Sequence, residues 1–181
     1  MTLSASADGL REACEDATEA RRGCLNTNSV PRDDQHQSLL RDLSAGDILI
    51  ADRLTASQIA ELQALYQQEW WTIGRTLAET ESIVANSTLN VALVDRQSSH
   101  LIGYARVLSD YTIKALILDV IVRSDYRKRK LGAALMNLIV SHPALSKVKH
   151  FELYCAPEMV AFYESWKFTA DLGTLKFMRR A

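Results

Sequence analysis

Residues 119–134 of this 181-residue chain read DVIVRSDYRKRKLGAA and hold its most concentrated chemistry. Within them, residues 123–130 carry five cations, Arg123, Arg127, Lys128, Arg129 and Lys130, against one anion, Asp125. That is a local charge of +4 in a chain whose formal total is −1. An apolar run, Lys114–Val122, ends just before the cluster. Leu131, Leu135, Leu138 and Ile139 recur at helical spacing just after it. The cations therefore stand at a strand-to-helix turn. There the first helical amides lack intrahelical partners and the positive end of the helix dipole is exposed. A turn of free amides among fixed cations suits a phosphate or diphosphate, and Gly132 is small enough for a ligand to approach the backbone. The segment has neither Gly-x-x-x-x-Gly-Lys-Ser/Thr nor Gly-x-Gly-x-x-Gly, so it is not a P-loop or a dinucleotide fingerprint.

The elements around the turn follow from pattern. Residues 47–53 read as a first strand. Thr55 with Gln58, and Thr76 with Glu79, are two capping boxes. They open one helix running to about Trp70 and another running to Asn86. Residues 90–95 and 101–107 flank a polar turn and predict a hairpin. The nearly continuous apolar run at 114–122 predicts a central strand buried on both faces. A helix over Leu131–Val140, a strand over 151–155, a helix over 158–166 and one or two closing strands over 168–178 complete the order. This β-α-α-β-β-β-α-β-α-β order predicts one α/β (α+β) domain, a mixed sheet with helices on its faces.

Composition narrows the class. No stretch nears the roughly 18 apolar residues of a membrane span. The near-neutral total argues against a protein devoted to polyanions, so nucleic acid and membrane are not expected partners. Cys14, Cys24 and Cys155 are odd in number and lack metal-ligand spacing, which predicts free thiols, no metal and a cytoplasmic location. Residues 1–46 are polar and poor in aromatic and β-branched types, and predict a flexible leader with a short helix around 10–21. The domain is expected over 47–181.

The run from Val120 to Leu135 resembles the acyl-CoA motif of the GNAT superfamily of N-acetyltransferases: a Val-x-Val strand, Arg/Gln-x-x-Gly-x-Gly/Ala, then a helix. Arg127 matches its first basic position and Gly132 its last small one, while Lys130 stands where the family usually has its first glycine. Downstream, Phe162-Tyr163-Glu164-Ser165-Trp166-Lys167-Phe168 resembles the family's Phe-Tyr-Glu-Lys-x-Gly-Phe, with Lys167 in place of glycine. The Trp70-Trp71 and Gly103–Arg106 segments are similar to those of a bacterial-type subgroup of undefined acceptor. The order of elements agrees over about three-quarters of the chain.

The resemblance implies a mostly antiparallel GNAT-like sheet, splayed between two parallel central strands, with helices on both faces. It implies acetyl-CoA as co-substrate and a small-molecule or peptide amine as acceptor, with direct attack in a ternary complex. Backbone groups of Val120, Ile121 and Val122 would pair with the pantetheine like an added strand. Arg127, Lys128, Arg129, Lys130, Leu131, Gly132 and Ala133 would hold the diphosphate. Tyr163 falls on the tyrosine that often protonates the departing thiolate.

An alkyl ammonium with a pKa of about 10 is only about one part in a thousand nucleophilic at neutral pH. A base is therefore needed. Asp119, the only ionisable group inside residues 115–122, is either that base or a carboxylate satisfied by a neighbouring strand's side chain such as Arg106. Trp71, with Trp70, offers an aromatic face to an amine, whereas Arg75 or Arg106 would favour an acceptor bearing a carboxylate. Family members often dimerise, so a homodimer is compatible, though no interface is legible. Two other classes compete: a module of the same fold that binds acyl-CoA without catalysis, and a nucleic-acid binder using residues 123–130.

Overall fold

In a computed structural model, residues 34, 36–38, 41, 43 and 46–180 are described. Cys14, Cys24, the helix expected around 10–21 and most of the expected leader lie outside them.

The two capping boxes form as their spacing requires. The Thr55 side chain accepts from the Gln58 amide while Gln58 reaches back to the Thr55 N–H, opening α1, Ala56–Tyr66. Thr76 and Glu79 do the same for α2, Leu77–Asn86. Helix α1 stops at Tyr66, short of the expected Trp70. The amides of Thr72 and Ile73 both turn back to the Glu69 carbonyl, and the Thr72 hydroxyl donates to the Tyr66 carbonyl at 2.8 Å. These bonds wind residues 67–76 into a compact loop, so Trp70 and Trp71 leave the helix, and Trp70 is 76% exposed.

Five strands form one sheet in sequence order: β1 Ile48–Ala51, β2 Leu89–Asp95, β3 Leu101–Ser109, β4 Lys114–Val122 and β5 His150–Leu153. All neighbours run antiparallel except β4 and β5. Helix α3, Leu131–Val140, packs on one face through Leu131, Leu135, Met136, Leu138 and Ile139. Helix α1 packs on the other through Leu62, Leu65 and Tyr66. A short last helix, α4, Val160–Glu164, adds Tyr163 to the α3 side. Helices thus cover both faces, as the element order predicts. His36, ahead of β1, is buried, with Nδ1 3.2 Å from Ser141 Oγ at the end of α3.

Strand β4 departs from simple alternation. Leu118 opposes Arg106 and Ile121 opposes Tyr104, so three steps on β4 face two on β3. This is a β-bulge, with Asp119 at φ 55°. The extra residue flips the parity of the strand. Ala115 and Ile117 enter the core beneath α3, whereas Ile121 enters the core beneath α1. The second half of β4 packs on both faces, Val120 and Val122 against the core beneath α3 and Ile121 in the core beneath α1, which agrees with the continuous apolar run there.

The closing strands expected over 168–178 do not form. The segment holds a turn at Gly173 but no strand, and Leu172, Leu175, Phe177 and Met178 stay exposed. Its link to the β5 side is Tyr154, whose ring meets Phe177 at 4.7 Å and Arg179 at 5.8 Å. These contacts join side chains and leave the backbone of the tail without a sheet ladder.

Lys130, the N-cap of α3, sits at φ 60°, Lys128 at 64° and Lys167 at 65°. A side chain in this left-handed region costs about 1–2 kcal/mol, a cost glycine escapes. Lys130→Gly is therefore expected to be about 1 kcal/mol more stable than Lys130→Ala, a comparison in which both variants lose the cation. Urea unfolding of the pair checks this.

Candidate active site

The bulge places the Asp119 carboxylate, 3% exposed, on the α1 side of the sheet. It accepts from Tyr66 Oη at 2.9 Å, from Arg106 Nε at 2.6 Å, and from Arg75 Nη1 and Nη2 at 3.0 and 3.3 Å. Arg75 also lies over the Tyr66 ring, 4.5 Å from its centroid. Burial by itself would raise the Asp119 pKa, but the hydrogen bonds and charges of Arg75 and Arg106 outweigh it and hold the carboxyl below its ordinary value. Burial, reinforced by the nearby Asp119 charge, pushes the Tyr66 phenol up. Of the alternatives open for Asp119, the geometry is that of the satisfied carboxylate, with Arg106 the donor anticipated and Arg75 and Tyr66 additional ones. Arg75 and Arg106, either of which was expected to favour an acceptor's carboxylate, both donate to Asp119, and the Arg75 side chain keeps 25% exposure.

Beyond the bulge the sheet opens. On its β3 side, β4 is paired as far as Val122. On its β5 side the pairing ends at Ile117 with Leu153. Residues 118–122 thus have an unpaired edge. The Arg123 amide donates to Ile102 at 3.0 Å, on the β3 side. By the geometry of that peptide plane, the Val122 carbonyl points away from β3, toward the open edge. Arg127 Nε donates to this carbonyl at 3.0 Å, and Arg127 Nη2 pairs with the Glu69 carboxylate.

The basic turn follows directly. A single 3-10 turn, Ser124–Tyr126, leads into it. Arg123 pairs with Asp125 through two bonds of 3.0 Å, and Arg129 lies 4.8 Å from the Tyr126 ring centroid. Lys128, Arg129 and Lys130 form no ion pair among the described residues. No side chain caps α3. Its first helical bond runs from the Ala134 amide to Lys130, which leaves the amides of Leu131, Gly132 and Ala133 available at the helix mouth. A Cβ at Gly132 would meet only Phe162 Cζ at 3.6 Å, an ordinary contact, so the protein's own packing does not demand glycine there.

Tyr163 stands on α4, buried to 8% exposure, with its ring against Phe162 and Phe168. Burial first, then the nearby Cys155 thiol, pushes its phenol up to about 12. Trp71 lies in the 67–76 loop, 38% exposed, close in sequence to Arg75. Sequence reasoning missed Glu69 and Tyr66, both of which reach the site through the fold alone.

Residues 53–168 match the model of the acetyltransferase (GNAT) family, and the chain belongs to that family. The uncharacterized N-acetyltransferase ycf52 of Pyropia yezoensis is 27% identical over 120 residues, 65% of this chain and 68% of that protein. Histone acetyltransferase TAP1 of Glycine max is 30% identical over 129 residues, 66% of this chain and 55% of that one. Among solved structures, a GNAT-family protein of Xanthomonas campestris pv. campestris superposes with a TM-score of 0.65 and 25% identity, covering 75% of this chain and 94% of that one. AAC(6')-Iy, in complex with the bisubstrate analog CoA-S-monomethyl-acetylneamine, shares the fold at a TM-score of 0.56 and 13% identity, over 75% of this chain and all of that one. The activity of this protein is acetyl transfer.

The Asp119 network yields a stability prediction. Removing the charge strands two guanidinium groups, so Asp119→Asn should cost about 3–5 kcal/mol. Because the folded pKa lies below the unfolded value of about 3.9, the stabilisation is complete above that pH and lost as pH falls through the folded value. Urea unfolding from pH 7 to pH 2.5 should show a steep loss below pH 4 in the parent protein and a shallower one in Asp119→Asn.

Proposed function

We propose that the protein transfers an acetyl group from acetyl-CoA to a primary amine of a small molecule or peptide, by direct attack in a ternary complex. One observation carries this: β4 runs five residues past its last pairing with β5, and the open edge ends at an uncapped, cation-rich helix mouth. An extended pantetheine fits such an edge by main-chain hydrogen bonds from Val120 and Val122, whereas the N–H and carbonyl of Ile121, expected to join them, alternate toward β3. The amides of Leu131, Gly132 and Ala133, with Arg127, Lys128, Arg129 and Lys130, suit the diphosphate. Anchoring both ends holds the thioester beside the acceptor and converts a bimolecular reaction into a local one.

The Val122 N–H, on the open side, polarises the thioester carbonyl as negative charge develops on its oxygen. The ammonium first gives one proton to water; the neutral nitrogen attacks the carbonyl carbon, the carbon–sulfur bond breaks, Tyr163 gives its proton to the thiolate, and the second proton lost by the nitrogen passes through water to restore the Tyr163 phenol. A phenol with a pKa of about 12 is fully protonated at neutral pH and so ready to donate. Asp119 serves the reaction as an anchor: its oxygens are filled by Tyr66, Arg75 and Arg106, and a carboxylate of lowered pKa is a poor base for an ammonium. The relative named histone acetyltransferase TAP1 keeps a peptide lysine within the acceptor class.

A non-catalytic acyl-CoA-binding module is less well supported. Its sequence basis was lysine at two family glycines, yet Lys130 and Lys167 both adopt the left-handed conformation that glycine favours.

A thiol-release assay with acetyl-CoA across an amine panel tests the proposal, and no release with any amine would refute it. Tyr163→Phe should lower kcat by roughly 10²–10³-fold with little change in CoA affinity, measured by calorimetry. Gly132→Glu should abolish CoA binding and Gly132→Ala should weaken it, while the melting temperature of Gly132→Ala stays close to that of the parent.

A further inference from the structure

We propose that Glu69 is the carboxylate that receives the acceptor's ammonium, and that Arg127 keeps it covered until the CoA diphosphate draws Arg127 away. The inference rests on the acetyl-transfer reading above. It names a residue that determines which acceptors bind and in what order.

The geometry starts at Arg127, whose one guanidinium bridges the Val122 carbonyl and the Glu69 carboxylate. The Glu69 carboxylate therefore lies one guanidinium width from the end of the open β4 edge. That is where the Val122 N–H would meet the thioester carbonyl, and an attacking amine must come within about 3–3.5 Å of that carbon. Glu69 itself is only 19% exposed on its side chain.

Its position is fixed from both sides. The Glu69 carbonyl accepts from the Thr72 and Ile73 amides at 3.0 and 2.9 Å. The loop is pinned at one end by Tyr66 and at the other by Arg75, both bound to Asp119. Gln63 and Gln67 side chains close it by donating to the Arg75 carbonyl at 3.2 and 2.8 Å. Trp70 and Trp71 follow Glu69 in the chain and are partly or largely exposed. A carboxylate holds an ammonium by charge, and the two exposed indoles on the same loop are residue types that add cation–π attraction.

Arg127 is also the cation that the diphosphate needs, so Glu69 and the diphosphate compete for one guanidinium. When CoA binds, Arg127 exchanges one anion for another. Glu69 is left unpaired, facing the reactive edge, and its most favourable new partner is a cation. Acceptor affinity thus depends on prior cofactor binding. By linkage, the acceptor's ammonium also strengthens CoA binding by the same factor.

The test uses Glu69→Gln in the full chain, with CoA as the calorimetric probe. Ethylamine, spermidine, lysine amide and a lysine-containing peptide are the acceptors. Removing the competitor should tighten CoA about tenfold and raise the KM of each amine turned over at least tenfold, with kcat less affected. In an Arg127→Met background, Glu69→Gln should leave CoA affinity unchanged, whereas a general effect of removing a negative charge would persist. Glu69→Asp, which keeps the charge, should restore most of the amine KM, and melting temperatures confirm that each variant folds. Parent-like CoA affinity and amine KM in Glu69→Gln, with the parent active, would overturn this inference and leave acetyl transfer standing. A parent that neither binds CoA nor turns over any of the amines would overturn both.

Discussion

The architecture depends on one buried charge. Asp119 occupies a left-handed position inside a central strand, with its carboxylate nearly sealed from water. A lone carboxylate there would cost several kcal/mol. It persists because three elements each contribute a donor: Tyr66 from α1, Arg75 from the loop ahead of α2, and Arg106 from β3. A single anion thereby joins one face of the sheet to the helix and loop above it. The bulge also reverses which face each β4 side chain meets, so that Ile117 and Ile121 enter separate cores. Bulges bend a strand and increase its local twist. The loss of pairing between β4 and β5 begins just ahead of this one. The opening proposed for the pantetheine and the charge that anchors the loop thus both lie at one inserted residue.

The open edge leads into a turn whose cations are already divided. Arg123 is satisfied by Asp125 and Arg127 by Glu69 and Val122, whereas Lys128, Arg129 and Lys130 keep their charge without an ion pair among the described residues. The unpaired three surround the helix mouth. An anion arriving there meets free amides and free cations first, with no salt bridge to displace. Only its further hold on Arg127 requires an exchange. On the proposed reading, the difference separates cations that would attract a diphosphate at long range from Arg127, whose release would reach the acceptor side.

What was legible in the sequence was local. Both capping boxes, the apolar face of α3 and the strand-to-helix turn depend on residues a few positions apart, and each formed where spacing required. The family motif is local in the same way, and it marked the strand-to-helix turn that the structure forms. Features that depend on pairing were not legible. A one-residue bulge leaves no mark in an apolar run, because the run stays apolar on whichever face each residue meets. Glu69 and Arg127 are 58 residues apart, and nothing near Glu69 marks it as different from the chain's other carboxylates. The early end of α1 depended on Thr72 reaching back to Tyr66, a bond that periodicity does not record. The tail between 168 and 178 has a strand-like composition, but composition supplies no ladder.

Backbone conformation offers a separate line to the same region. Six residues other than glycine have positive φ among those described: Ser99, Tyr111, Asp119, Lys128, Lys130 and Lys167. Ser99 and Tyr111 sit in the connections between β2 and β3 and between β3 and β4, where turn geometry accounts for them. The other four lie in the bulge, in the basic turn and just past α4. Strained conformations persist where the surroundings over-determine them, and they gather where a backbone must present its amides rather than relax. At Lys130 the left-handed cap precedes three amides that no side chain covers. A lysine there carries the strain that a glycine would avoid and adds a cation beside those amides. An anion is the ligand for which both features count.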